Sequence, residues 1–179
     1  MGLIQTPQES ETLATQVPDN AGVYFVPAFA GLGAPQWAPS ARAAIVGMTS
    51  HSNRNHIVRA AVESIAYQVC DVLEMMRGRA GVELRTLRAD GGASRNKFLM
   101  QFLADISGLE VVAAPIAECS PLGAALLGGL GIGLFASLEQ ISRLPGGGVK
   151  YEGAMPREQS NVLRSGWKHA VEQVLAGIS

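Results

Sequence analysis

Residues 84–96 read LRTLRADGGASRN, and the reading of the fold starts from them. The run 84–89 is extended in character, with Leu84 and Leu87 apolar among polar neighbours. A strand does not continue comfortably through Asp90-Gly91-Gly92, because glycine favours turns and close backbone approach. A helix is expected to begin near residues 94–96. It carries Phe98, Leu99, Phe102, Leu103 and Ile106 on one face, the spacing of a helix packed on a sheet. A glycine-lined turn between a strand's carboxyl end and a helix's amino end is a common ligand site. Its N–H groups are free and no Cβ shields the backbone. The same residues also suit an ordinary tight turn, so the surroundings must decide.

The chain has 179 residues, 47% of them hydrophobic, which suits one domain with a sizeable core. A net charge of −1 without a basic run argues against a nucleic-acid partner. The polar, acidic start MGLIQTPQESET does not read as a secretory signal. The longest apolar stretch, residues 121–135, contains five glycines and is shorter than the roughly 20 residues needed to cross a bilayer. No membrane contact is expected, and a cytoplasmic location is. Cys70 and Cys119 lie outside any Cys/His cluster, which speaks against a disulfide framework or a metal site.

Residues 1–20 read as a lead-in segment, with a short amphipathic helix over 9–17, and 21–179 as one domain. Brief β-prone runs at 23–26 and 43–48 flank a loop, PAFAGLGAPQWAPSAR, that carries Phe29 and Trp37. The polar segment 50–55 caps a long helix over 57–76. Its buried stripe is expected at Val58, Val62, Ile65, Val69, Val72 and Met76, with Arg59, Glu63, Gln68, Asp71 and Glu74 on other faces. That helix is expected to end through 77–81, with Gly78 as its C-cap. Gly108 closes the helix after the central turn, and EVVAA at 110–114 reads as a buried strand. Ser120 and Pro121 read as the N-cap and first position of the next helix. Its glycines suit a backbone lying close against a neighbour. A short helix at 138–144, a turn at 145–148 and a final helix over 156–175, with Leu163, Trp167, Val171 and Val174 on its apolar face, complete the chain. This alternation implies an α/β layer with parallel strands.

Three segments carry a family resemblance: residues 22–49 (GVYFVPAFAGLGAPQWAPSARAAIVGMT), 56–68 (HIVRAAVESIAYQ), and 87–108 followed by SPLGAALLGG. Together they resemble the C-terminal half of glycerol kinases, a branch of the FGGY carbohydrate kinases. The set Ala43, Ile45, Gly47, Met48, His56, Ile57, Ala60, Ala61, Val62 and Glu63 is similar to a signature of the whole family. The block Gly31-Leu32-Gly33-Ala34-Pro35 with Trp37 resembles the glycerol kinase branch, and Tyr151 and Ser165-Gly166-Trp167-Lys168 fit it too.

The resemblance implies an α/β fold, part of an actin-like/ribonuclease H-like ATPase domain, truncated at its N-terminal strands. Residues 84–89 would then lack a neighbour strand and present an unpaired edge. It implies ATP with Mg2+ as cofactor and transfer of the γ-phosphate to a terminal hydroxyl of glycerol. Gly91, Gly92 and Asn96 are the expected nucleotide-binding residues, with Gly92 and Asn96 matching the family's contacts to adenosine. Gly92 would let a planar base approach the backbone, and the Asn96 amide can donate and accept while also capping the helix. Asp90 is expected to organise the turn. The resemblance carries over no catalytic residue and no metal ligand. The catalytic Asp, the Arg, Glu and Tyr that hold glycerol, and the phosphate-binding hairpins belong to an N-terminal domain with no counterpart in these residues. Ala30, Gln36 and Ala38 stand where glycerol kinases usually carry Thr, Tyr and Asp. His51, His56 and His169 read as structural or solvated. The expected partners are ATP or ADP, glycerol only together with the missing domain, and further copies of the chain in a homo-oligomer. Two readings stay open: the nucleotide-binding piece of a longer glycerol kinase, or a non-catalytic remnant or interaction module. A piece of another FGGY sugar kinase is the remaining alternative.

Overall fold

The structure is a computed structural model, and it describes residues 2–80, 84–116, 118–144 and 146–177. Gly81, in the expected end of the long helix, and Pro145, in the expected turn, lie outside the described residues. The chain opens with helix α1 (Glu9–Thr15), then an antiparallel pair, β1 (Tyr24–Val26) and β2 (Ala44–Val46), with Phe25 opposite Ile45. Helix α2 (Arg54–Ala80) starts three residues earlier than its apolar periodicity suggests. The Asn53 side-chain oxygen accepts the N–H groups of Asn55 and His56, while His56 Nδ1 accepts the Asn53 N–H. That reciprocal cap satisfies donors that a helix start otherwise leaves unpaired. Gly78 lies within α2 and caps nothing.

The long helix buries part of the expected stripe: Val58 and Val62 are buried and Val69 packs against the core. Ile65 and Met76 are exposed, and the buried line runs through Glu63, Ala66, Tyr67, Cys70 and Leu73. The departure centres on Glu63, a carboxylate expected on another face than the buried one. It is 1% exposed because Arg59 Nε and Asn20 Nδ2 donate to its two oxygens at 2.7 and 3.0 Å. A buried charge with both oxygens satisfied permits this face of the helix to turn inward.

The three-stranded sheet has the order β3 (Thr86–Ala89), β4 (Glu110–Ala113), β5 (Val149–Tyr151). Strand β3 runs parallel to β4, as the strand–helix–strand order implies, with Leu87 beside Val111. Among the described residues β3 pairs with β4 alone, so its other side is an edge. Strand β5 has no counterpart in the sequence reading; it joins β4 antiparallel. Gly148 makes that approach possible, since a Cβ there would stand 2.5 Å from the Ala113 carbonyl oxygen.

Helix α3 (Lys97–Ser107) crosses over between β3 and β4 and buries Leu99, Phe102, Leu103 and Ile106, the face its spacing marks out. Gly108 ends it with a left-handed φ of 66°. The last helix, α6 (Arg157–Ala176), is preceded by α4 (Cys119–Gly131) and α5 (Leu138–Ser142). Trp167 of α6 stacks on Tyr67 at 5.2 Å between ring centroids, and Tyr67 meets Phe102 edge-on at 5.5 Å. The Trp167 indole N–H donates to Asp71 at 2.8 Å, so this buried ring keeps its polar tip paired.

Helix α4 departs from the sequence reading in two ways. Its cap position is Glu118, without a side-chain cap bond, and Ser120 and Pro121 fall inside the first turn. The Asp90 carboxylate accepts the Cys119 N–H at 3.2 Å, so the first donor is satisfied from the end of β3 rather than by Ser120. Asp90 therefore ties two elements together instead of bracing its own turn. Close packing accounts for one of its glycines and not the rest: a Cβ at Gly129 would stand 2.9 Å from the Phe135 ring, whereas one at Gly123, Gly128 or Gly131 would meet nothing within 4 Å. Leu122 and Leu127 are exposed.

Candidate functional site

Strand β3 delivers its carboxyl end to a turn whose backbone only glycine adopts comfortably. Gly91 has φ 90° and ψ 177°, a region essentially closed to residues with a Cβ. Gly91→Ala is accordingly expected to destabilise the chain by about 1–3 kcal/mol. Urea denaturation measures this, and a loss below about 0.5 kcal/mol would show that the turn relaxes freely. A 3₁₀ turn over Gly92–Arg95 follows, braced by the Ser94 hydroxyl donating to the Gly91 carbonyl at 2.8 Å. A Cβ at either glycine would meet nothing within 4 Å, but Gly92 lacks the left-handed φ of Gly91, so its backbone faces open space without needing glycine for its conformation.

Asn96 caps α3. Its Oδ1 accepts the Leu99 N–H at 2.9 Å, and its Nδ2 donates to Ser10 Oγ of α1 at 3.2 Å. A carboxamide offers two N–H donors and two acceptor lone pairs. Among the described residues one of each is engaged, which leaves one of each for a ligand. Glu11, beside Ser10, accepts the Lys97 N–H at 3.1 Å and puts a carboxylate at the positive end of α3. The sequence reading treats Ser10 and Glu11 only as part of a lead-in helix. The signal that points to them is the set of unpaired N–H groups opening α3, of which Asn96 satisfies only that of Leu99.

Gly92 and Asn96 sit on the rim of a largely apolar cleft of about 760 Å³. Leu3, Ile4 and Pro7 of the lead-in form one wall, and Ile57, Ala61 and Ile65 of α2 the other. Apolar walls with a few fixed polar groups are the usual make-up of a small-molecule site. The structure thus brings Gly92 and Asn96 together at one cleft, while Gly91 serves the turn behind them.

Other candidates fall away from this cleft. His51 contacts Ser50, His56 caps α2, and His169 pairs with Gln173. Burial pushes the Cys70 thiol up to about 11, so it stays protonated. Among the described residues no three His, Cys, Asp or Glu side chains gather as metal ligands would, and no helix is long and apolar enough to cross a membrane.

The parallel β3–β4 pair crossed by α3 has the architecture of the C-terminal domain of an actin-like/ribonuclease H-like ATPase fold. The chain belongs to the FGGY family of carbohydrate kinases: residues 2–132 match the family's C-terminal domain. Within that family it is similar to the glycerol kinase of Shewanella woodyi, at 47% identity over 99% of this chain and 36% of that protein. The crystal structure of Plasmodium falciparum glycerol kinase with ADP superposes with a TM-score of 0.86 at 38% identity, covering 97% of this chain and 35% of that one. Gluconate kinase from Lactobacillus acidophilus shares the fold, with a TM-score of 0.79 at 22% identity over 100% of this chain and 37% of that one. The chain spans about a third of the length of the relatives it matches.

Proposed function

We propose that this chain is the nucleotide-binding C-terminal portion of a cytoplasmic glycerol kinase, which transfers the γ-phosphate of ATP to glycerol to give glycerol 3-phosphate. The observation that carries this reading is the meeting of Gly92, Asn96 and the apolar cleft in a chain so similar to glycerol kinases. An adenine ring would lie against the open backbone of Gly92, with the spare donor and acceptor of Asn96 toward its polar edge or the ribose. Gly91 keeps the turn in the shape that exposes Gly92. The apolar walls would exclude water from the faces of the ring.

These residues fit adenosine and not the Mg2+ that accompanies ATP, because Glu11 is the one carboxylate lining the cleft and no group of three metal-ligating side chains gathers among the described residues. Phosphoryl transfer depends on positioning and charge neutralisation along the whole triphosphate. The chain spans about a third of the length of its glycerol kinase relatives, so nucleotide binding is proposed for this portion and turnover for the whole protein. The exposed Leu122 and Leu127 of α4 favour a second reading, an interaction module that keeps the packing, self-associates or binds a protein, and has lost the nucleotide.

A thermal melt with and without saturating Mg-ADP separates the two. At about 100 times the dissociation constant the nucleotide adds roughly 2.7 kcal/mol. In a chain of this size that is an upward shift of several degrees. A cooperative melt that stays in place with ADP would overturn the nucleotide-binding reading in favour of the interaction module.

A further inference from the structure

The polar contacts around Asn96 form an ordered relay that begins outside its own helix. The Ser10 hydroxyl donates its proton to the Pro7 carbonyl, so it presents a lone pair, not a proton, to Asn96. Asn96 Nδ2 donates to that lone pair at 3.2 Å, and Asn96 Oδ1 accepts the Leu99 N–H at 2.9 Å. The Leu99 N–H can only donate, so it fixes which end of the amide carries the oxygen. One hydrogen bond leaves a planar amide free to tilt about that bond. A second bond at the opposite end fixes the plane.

We infer that Ser10 is a positioning residue for nucleotide recognition: from α1 it sets the plane of the Asn96 carboxamide and aims its remaining N–H and lone pair into the cleft. The inference rests on the proposed role of Asn96. Three features make Ser10 more than a surface contact. Its hydroxyl proton is committed elsewhere, its partner's other end is pinned by α3, and Ser10 and Asn96 both line the cleft. Glu11 holds the same two helices together through the Lys97 N–H, so α1 stays seated when the Ser10 hydroxyl alone is removed.

The test uses the full chain and ADP. Removing one neutral hydrogen bond that orients the amide is expected to weaken ADP binding in Ser10→Ala by about three- to tenfold. Ser10→Thr keeps the hydroxyl and is expected to restore affinity to within about twofold of the parent. In 15N-resolved NMR spectra the Asn96 side-chain amide protons should shift in Ser10→Ala and return in Ser10→Thr, with or without ADP. A role confined to stability would lower the melting temperature of Ser10→Ala and leave both the affinity and those resonances unchanged, and that result overturns the inference alone. If the unsubstituted chain fails to bind ADP, the role of Asn96 falls and the inference falls with it. The two failures are told apart by the parent chain's own binding.

Discussion

Glu63→Ala is expected to lower the stability of the chain by about 3–5 kcal/mol, the usual cost of leaving one member of a buried ion pair without its partner. For a chain of this length that is a drop in melting temperature on the order of 10 °C. The carboxylate accepts from Arg59 Nε at 2.7 Å and from Asn20 Nδ2 at 3.0 Å. Arg59 in turn donates to the Ala14 and Val17 carbonyls at the end of α1 and lies 4.9 Å over the Phe98 ring of α3. Removing the carboxylate strands a largely buried guanidinium and an Asn20 amide together, at the point where α1, α2 and α3 meet. Urea denaturation reads the loss, and a change smaller than about 1 kcal/mol would mean that water replaces the carboxylate freely.

The same residue gives the stability a pH dependence of definite sign. Burial, the largest influence, raises the Glu63 carboxyl above its ordinary value of 4.5, against the opposing pull of Arg59 and Asn20. The folded chain therefore holds this proton more tightly than the unfolded chain. Its contribution is greatest below the ordinary value and is lost as pH rises through the elevated one. Glu63→Gln keeps an acceptor for Asn20 and removes that titration. Its stability relative to the parent should improve as pH rises through this window, which paired denaturation series at acidic and neutral pH would show.

What the sequence made legible is what depends on near neighbours. The α3 face needs only spacing along one helix, its left-handed end only Gly108, and the parallel strands only their order around a crossover. Asn96 reads as a helix cap, and it is one. The α2 face was legible only in part, at Val58 and Val62, because apolar side chains occur around much of that helix. Which of them turn inward is decided by Glu63 bonding to Asn20, 43 positions away. Ser10 and Asn96 are separated by 86 positions, so no local pattern announces the relay between them. Strand β5 is three residues after a glycine run, too short for alternation to register.

That contrast sharpens the question of the two adjacent glycines, which sequence alone treats as one motif. Gly91 answers to backbone conformation, with its φ of 90°. Gly92 has an ordinary φ and open space where a Cβ would go, so nothing in the folded chain demands glycine there. If a base lies against its backbone, a side chain at this position collides with the ligand and not with the protein. Gly92→Val is therefore expected to weaken ADP binding by at least about tenfold, since a steric conflict of 1.4 kcal/mol already amounts to that factor. The melting temperature without ADP should move by no more than about 2 °C, well within the effect of a small surface change. Gly91→Ala should do the reverse, lowering the melting temperature first. Calorimetric titration with ADP beside a melt of each variant decides the matter. Undiminished affinity in Gly92→Val would place the base elsewhere. A fall in melting temperature as large as that of Gly91→Ala would assign Gly92 to the turn and not to the ligand. The opposite outcome, affinity lost in one variant and stability in its neighbour, requires a ligand surface at Gly92, because a turn that merely needed two glycines would report both losses through the melt.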